Sequence, residues 1–137
     1  MDRLAQRLSD AARAVRVLQD ALTITSPTDL ERDGVIQRFE FTFEAVWQAG
    51  QAFLQLEEGV SARSPRSTLK ALGETGLLSE GETVLALEML EDRNRTVHMY
   101  IEAVALQIHQ RIPEYAPLLR AMVERMLRRH PAPIQPS

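Results

Sequence analysis

Cysteine is absent from this chain of 137 residues, which excludes disulfide bonds, thiolate catalysis and cysteine-ligated zinc and favours an intracellular compartment. Excess positive charge is absent too: the formal net charge is −3, which argues against broad electrostatic capture of nucleic acid. No run approaches the roughly 20 uninterrupted apolar residues of a membrane-spanning helix, and the charged amino terminus, with Asp2, Arg3 and Arg7, lacks the apolar core of a signal peptide. We therefore expect a cytoplasmic protein with no membrane association.

The length suits one domain with one hydrophobic core. No internal repeat or low-complexity tract divides the sequence. We predict a single domain over residues 1–130 and a flexible tail over residues 131–137.

Apolar residues recur at helical spacing along nearly the whole chain. The first stripe predicts a helix over about residues 2–24, and a second stripe runs from Ile36 to Leu54. Residues 39–44 alternate like a strand, but the longer window and the lack of a partner strand favour a helix there. Ser64-Pro65 suits the start of a short third helix.

Two long helices are predicted in the second half of the chain. Ser79 and Glu82 have the spacing of a capping box. The apolar face of the fourth helix follows them, at Val84, Leu85, Leu87, Met89 and Leu90. This helix runs into Arg93, and a long fifth helix, bent or broken at Pro113, closes the chain. The prediction is an all-α fold, an antiparallel up-and-down bundle of four long helices plus one short helix.

A polar run interrupts the apolar pattern where the fourth helix ends. It contains Arg93, Asn94, His98 and Tyr100, at a junction that we expect to lie half exposed at one end of the bundle. Arginine is a fixed cation rich in donors, and histidine exchanges protons near neutral pH, so this set suits phosphate chemistry. Taken alone, His98 is more typical of a cap or surface residue, and Tyr100 could simply pack against the fourth helix.

Two stretches carry a family resemblance. Residues 37–47 read Gln-Arg-Phe-Glu-Phe-Thr-Phe-Glu-Ala-Val-Trp, and residues 90–100 read Leu-Glu-Asp-Arg-Asn-Arg-Thr-Val-His-Met-Tyr. Together they resemble the HEPN superfamily, in particular the nucleotidyltransferase substrate-binding branch that includes the toxins of MNT/HEPN toxin–antitoxin pairs. The resemblance implies a homodimeric five-helix domain whose partner is an MNT-type nucleotidyltransferase.

The resemblance also implies roles for individual residues. Arg93 and His98 match the family's metal-independent ribonuclease motif, Asn94 matches the polar position after the arginine, and Tyr100 matches the tyrosine to which the partner transfers AMP. In this interpretation RNA is the ligand, His98 exchanges protons and Arg93 stabilises the phosphate. A second His98 from the dimer would protonate the leaving group. No metal and no cofactor are expected.

Glu40 and Glu44 are four residues apart and share one helix face. They could form an acid pair, but an orienting role, in which a carboxylate fixes Arg93, is favoured over it, and solvated surface charge is an equal alternative. The helical spacing of nearby aromatic side chains favours a place in the core or in a dimer interface over base stacking on an open surface. These are Phe39, Phe43, Trp47 and Phe53.

Two other functions remain open. The chain could be a noncatalytic nucleotide- or substrate-binding subunit of a two-component nucleotidyltransferase, with Arg93 and His98 binding phosphate without turnover. It could also be a structural adaptor, although that leaves the polar run unexplained. It lacks the Gly-Ser and paired aspartates of a nucleotidyltransferase, so it is not itself the transferase.

Overall fold

The computed structural model describes residues 2–130, and all regular secondary structure in this part is helical. The predicted tail over residues 131–137 lies outside the described residues. The helices are α1 (Arg3–Ala21), α2 (Asp29–Phe53), α3 (Pro65–Glu74), α4 (Glu80–Arg95) and α5 (Glu102–Arg129). The all-α prediction is confirmed, and none of these helices is long and apolar enough to cross a membrane.

Capping boxes fix where α2 and α4 begin. At α2 the Thr28 hydroxyl accepts the Glu31 backbone N–H at 3.1 Å, and the Glu31 carboxylate accepts the Thr28 N–H at 2.9 Å. Ser79 and Glu82 make the same pair at α4, with distances of 3.1 and 2.8 Å. These bonds satisfy backbone donors that the first helical turn would otherwise leave free.

Residues 39–44 lie inside α2, so the helix interpretation of that alternating stretch is confirmed. After Phe53 the chain continues as a π-helical turn, Leu54–Glu58, and stops at Gly59 with φ of 66°. A left-handed residue of this kind is a common helix terminator, and glycine adopts it without steric cost.

Of the bend or break predicted at Pro113, the break is wrong, because α5 runs without interruption from Glu102 to Arg129 and contains both Pro113 and Pro117; the bend stays a prediction. Each proline removes one backbone donor. Both prolines face solvent, however, while Ile112 and Tyr115 next to them are buried. Burial of the inward face therefore holds the helix together across the two missing hydrogen bonds.

The four long helices alternate in direction. Arg7 of α1 donates to Gln48 near the end of α2, whereas the Thr42 hydroxyl donates to the carbonyl of Ala14 at 3.1 Å. Contacts between α4 and α5 likewise join opposite ends, with Arg125 donating to Glu82. The up-and-down arrangement is confirmed, with the short α3 packed between α2 and α4.

One core unites all five helices, and the expected stripes of α1 and α2 supply much of it. Phe39, Phe43 and Phe53 are buried, which confirms their core spacing. The expected face of α4 is only partly correct, because Val84 is exposed whereas Ala86, Met89 and Leu90 are buried. Val84 lies two residues before Ala86 and therefore on nearly the opposite side of the helix.

Candidate functional site

The polar run joins the end of α4 to the start of α5. Arg93 is in the last turn of α4, which leads into a short 3₁₀ turn, Thr96–His98. The buried Thr96 hydroxyl donates to the Arg93 carbonyl at 2.7 Å and so satisfies one free acceptor of the helix end. Arg93 contacts Glu44, near the middle of α2. The Arg93 guanidinium therefore lies against the side of α2, and the expectation that the junction itself lies at one end of the bundle stays a prediction.

Arg93 is held from two directions. Its Nη2 donates to Glu44 Oε2 at 2.6 Å, and its guanidinium carbon lies 5.5 Å from the centroid of the Phe43 ring. A longer contact of 3.3 Å joins Nη1 to the Asn94 side-chain oxygen. The Arg93 side chain keeps 30% of its surface exposed. A fixed, partly exposed guanidinium can bind an incoming phosphate oxygen without first losing much conformational freedom.

Glu44 is itself fixed by neighbours on its own helix. Gln48 donates to its Oε1 at 2.8 Å and Trp47 donates its indole N–H to Oε2 at 3.0 Å. Arg7 of α1 in turn donates to Gln48. A carboxylate with this many donors has little freedom to turn, so it fixes the direction in which Arg93 points.

The two carboxylates predicted to support the site differ in position. Glu44 contacts Arg93, whereas Glu40, one turn earlier on α2, forms no side-chain hydrogen bond or ion pair with any residue between 2 and 130. Sequence reasoning did not identify Trp47 and Gln48 as partners of Glu44. Their spacing of three and four residues from Glu44 was the available signal.

His98 and Tyr100 both face solvent. Their ring centroids are 6.1 Å apart with planes at 68°. Tyr100 is 79% exposed, so the alternative that it packs against α4 is wrong. Within the described chain neither side chain has a hydrogen-bond partner, which leaves the imidazole and the phenol open to a ligand or another protein.

Exposed apolar side chains lie close to these two residues in the sequence. Val97 is 70% exposed, and Ile101 and Leu106 are also open to solvent. We call Val97, Tyr100, Ile101 and Leu106 the apolar patch. Exposed apolar groups gathered beside polar residues are typical of protein contact surfaces.

A buried contact directly behind the site was not predicted. Asp92, next to Arg93, accepts hydrogen bonds from Tyr115 Oη of α5 and from Arg95 Nη1. Asp92 follows Met89 by three residues and so occupies a position that the apolar pattern of α4 places inside. An acidic residue at an inward position was the signal for a specific partner.

The described part of the chain contains no group of three or more His, Asp or Glu side chains placed to hold a metal ion. The polar run itself combines an imidazole and a phenol, which can donate and accept protons, with the guanidinium of Arg93, which can bind an anion. The chemistry that this arrangement can support is therefore proton exchange and anion binding.

Solved structures define the class of this fold. A tri-AMPylated HEPN toxin of Shewanella oneidensis in complex with MNT antitoxin superposes with a TM-score of 0.70 at 15% identity, over 92% of this chain and 98% of that one. A mutant of the toxin–antitoxin MntA–HpeT superposes with a TM-score of 0.71 at 14% identity, over 91% and 98%. The chain therefore has the HEPN fold.

The family follows from sequence. A protein of Thermus thermophilus with a solved crystal structure is 42% identical, with a TM-score of 0.82 over 85% of this chain and 98% of that one. The family model "Nucleotidyltransferase substrate binding protein like" matches residues 6–128. The chain belongs to this family, which confirms the resemblance seen in the sequence. No curated protein matches it.

Proposed function

We propose that this protein is a metal-independent endoribonuclease of the HEPN type, silenced when a partner nucleotidyltransferase transfers AMP to Tyr100. The observation that supports the proposal is that Arg93 is fixed by Glu44 and partly exposed, while His98 and Tyr100 of the same polar run are open to solvent. Asn94, in contact with Arg93, completes the polar group.

The proposed reaction is a transesterification within RNA. His98 accepts the proton of a ribose 2′-hydroxyl, the resulting oxygen attacks the adjacent phosphorus, and the bond to the 5′-oxygen of the next nucleotide breaks. Arg93 stabilises the additional negative charge on the phosphate during the attack. The products are a 2′,3′-cyclic phosphate and a 5′-hydroxyl, and the departing oxygen needs a proton donor.

A second copy of the chain would supply that donor. The protein has one histidine in the polar run, and general acid–base catalysis of this kind requires a base and an acid at the same time. We propose that the apolar patch forms part of a homodimer interface, which brings two His98 side chains to one phosphate. The exposure of Val97 and Ile101 next to His98 supports this arrangement.

The proposed silencing acts through the exposed phenol of Tyr100. A transferase can reach a hydroxyl that is open to solvent, and the adduct adds a bulky anion next to the imidazole of His98. Its phosphate would compete with RNA for Arg93 through charge-assisted hydrogen bonds. Solved HEPN toxins of the same fold are bound to an MNT antitoxin, and one of them is AMPylated, which supports a partner of this type.

A second candidate is a noncatalytic subunit that presents a nucleotide or another substrate to a partner nucleotidyltransferase. The description of the family, nucleotidyltransferase substrate binding, favours it. Arg93 and His98 would then bind phosphate without cleaving RNA. The two candidates share the site and the partner and differ only in turnover.

The test is cleavage of a mixed RNA pool in EDTA by protein that is free of AMP by intact mass. His98→Ala and Arg93→Ala are expected to lose activity, whereas His109→Ala and Arg38→Ala serve as controls for loss of a histidine and of an arginine elsewhere. Circular dichroism checks that each variant is folded.

The outcomes separate the candidates. Cleavage that the controls keep and the two site variants lose supports the nuclease. If the folded, unmodified wild type cuts nothing, the ribonuclease proposal fails, and binding of ATP that depends on Arg93 supports the noncatalytic subunit. The silencing step of the ribonuclease proposal is tested separately: with the partner transferase and ATP, the wild type should gain the mass of AMP and Tyr100→Phe should not.

A further inference from the structure

Tyr115 lies fully buried at the centre of α5 and Asp92 is 8% exposed at the end of α4. The Tyr115 hydroxyl donates to Asp92 Oδ2, and the Arg95 guanidinium donates to Asp92 Oδ1 at 3.1 Å. Burial, with the hydrogen bond to Asp92 and its negative charge, raises the pKa of Tyr115, so the phenol remains protonated and donates throughout the physiological pH range.

The contact between Asp92 and Tyr115 is connected to the site both through the backbone of α4 and through the aromatic side chains of α2. Asp92 is bonded through the backbone to Arg93, and Arg95 also donates to Gln107 of α5 at 2.5 Å. The Tyr115 ring stacks on Phe39 with centroids 5.7 Å apart. Phe39 lies one helical turn before Phe43, and the Arg93 guanidinium lies over the Phe43 ring. Tyr115 therefore contacts both the segment that bears Arg93 and the helix that receives its guanidinium.

We propose that Asp92 and Tyr115 are positioning residues for the site, and that their hydrogen bond fixes the rotation of the last turn of α4 so that Arg93 and His98 face the same substrate. This inference rests on the proposed ribonuclease function. Neither residue touches the substrate, and both act through the backbone between Asp92 and His98.

The segment from Asp92 to Tyr100 needs such a hydrogen bond because few other contacts hold it in place. His98 and Tyr100 have no side-chain hydrogen bond within residues 2–130, so their positions depend on the backbone that precedes them. Thr96 holds that backbone only to the carbonyl of Arg93, within the same segment. The hydrogen bonds from Tyr115 to Asp92 and from Arg95 to Gln107 tie this segment to α5. Loss of the Tyr115 hydroxyl would leave a buried carboxylate oxygen without its partner and free the turn to rotate.

The experiment compares Tyr115→Phe with the wild type and with Arg125→Met. Arg125 ties the start of α4 to α5 through two hydrogen bonds of 2.8 Å to Glu82, so the control removes a tether from the other end of the same helix. RNA cleavage is measured at a temperature well below each variant's unfolding transition. Amide hydrogen exchange of residues 93–101 is measured on the same proteins without RNA.

We expect Tyr115→Phe to lower kcat by roughly tenfold to a hundredfold with little change in KM, because misplacement of catalytic groups slows the reaction more than it weakens binding. Exchange over residues 93–101 should accelerate in Tyr115→Phe but not in Arg125→Met, which should keep its kcat. If Tyr115→Phe does not fold, Asp92→Asn, which keeps the shape of the side chain, is measured in its place.

A Tyr115→Phe protein that cuts RNA as fast as the wild type overturns the inference, whatever its exchange. So does an equal loss of kcat in Arg125→Met, because stability alone would then explain the effect. A wild type that cuts no RNA contradicts the proposed function instead. In that case the exchange of residues 93–101 decides whether the pair holds the segment: acceleration supports the inference and an unchanged rate overturns it.

Discussion

Replacing Glu44 by glutamine tests whether Arg93 must be held to act. The carboxylate accepts hydrogen bonds from Gln48, Trp47 and Arg93. The substitution keeps the size of the side chain and removes its charge. It also replaces one acceptor oxygen by a donor, so the amide cannot satisfy all three neighbours in the same geometry.

The contacts and exposure of Glu44 determine how far Glu44→Gln should lower the stability of the fold. A hydrogen bond to a charged group contributes about 1.5–3 kcal/mol net. The Arg93 and Glu44 side chains are 30% and 39% exposed, and solvent screening at such positions reduces a pair toward about 1 kcal/mol or less. We therefore expect Glu44→Gln to lower the free energy of unfolding by about 1–2 kcal/mol, which a domain stable by about 5–15 kcal/mol survives.

The effect on turnover should be separate from the effect on binding. With Glu44 neutral, Arg93 keeps its charge but loses its fixed direction. We expect kcat for RNA cleavage to fall about tenfold, the equivalent of about 1.4 kcal/mol of transition-state stabilisation. KM should change less than kcat, since the freed guanidinium keeps its charge and still attracts phosphate.

Two assays measure this prediction. Steady-state cleavage gives kcat and KM, and fluorescence reports on the carboxylate itself, because the chain has one tryptophan and its indole N–H donates to Glu44. Glu40→Gln is the matched control. It removes the same charge one turn away on α2, and Glu40 has no side-chain partner in the described part of the chain. The reasoning is refuted if Glu44→Gln matches Glu40→Gln in kcat and in Trp47 emission.

Two further predictions concern the scaffold. Gly73→Ala would put a Cβ 2.4 Å from Thr83 Oγ1, so urea denaturation should show a loss of about 1–2 kcal/mol, which Thr83→Ala in the same chain should largely restore. Glu82 has a pKa lowered from 4.5 to about 2, first by the hydrogen bond from Arg125 and then by the backbone bond at Ser79. Its contribution to stability is therefore complete above pH 4.5 and disappears as pH falls toward 2. Glu82→Gln should flatten the pH dependence of unfolding in that window and leave the slope above it unchanged.

Local features of the sequence predicted most of the helices, because spacing and capping act over a few residues. Ser79 and Glu82 form the capping box that their spacing indicated. A break at Pro113 did not occur, because the interactions that prevent it are not local. Proline weakens a helix locally, whereas the burial that outweighs it comes from side chains on other helices.

In the candidate site, too, the sequence predicted the residues but not the contacts they make across the fold. Arg93, His98 and Tyr100 could be selected from residue types and from the family resemblance, but their surroundings join parts of the chain that are far apart. Glu44 and Arg93 are separated by 49 residues, and Asp92 and Tyr115 by 23. Periodicity gave the face on which Glu44 lies but not its partner, so Glu40 and Glu44 were equivalent until the register of α2 against α4 was known.

The contacts divide the polar run into a fixed part and an open part. Arg93 is tied to Glu44 and, through Asp92, to α5, whereas His98 and Tyr100 extend into solvent from the turn that follows. A group that stabilises charge works best when it is held before the reaction, because reorganisation then costs nothing at the transition state. A group that exchanges a proton with RNA, or that accepts AMP from another protein, must remain accessible. In the proposed function, silencing by AMP transfer therefore needs no change in the scaffold, because Tyr100, the proposed acceptor, and His98, which its adduct would block, lie two residues apart in the same open turn.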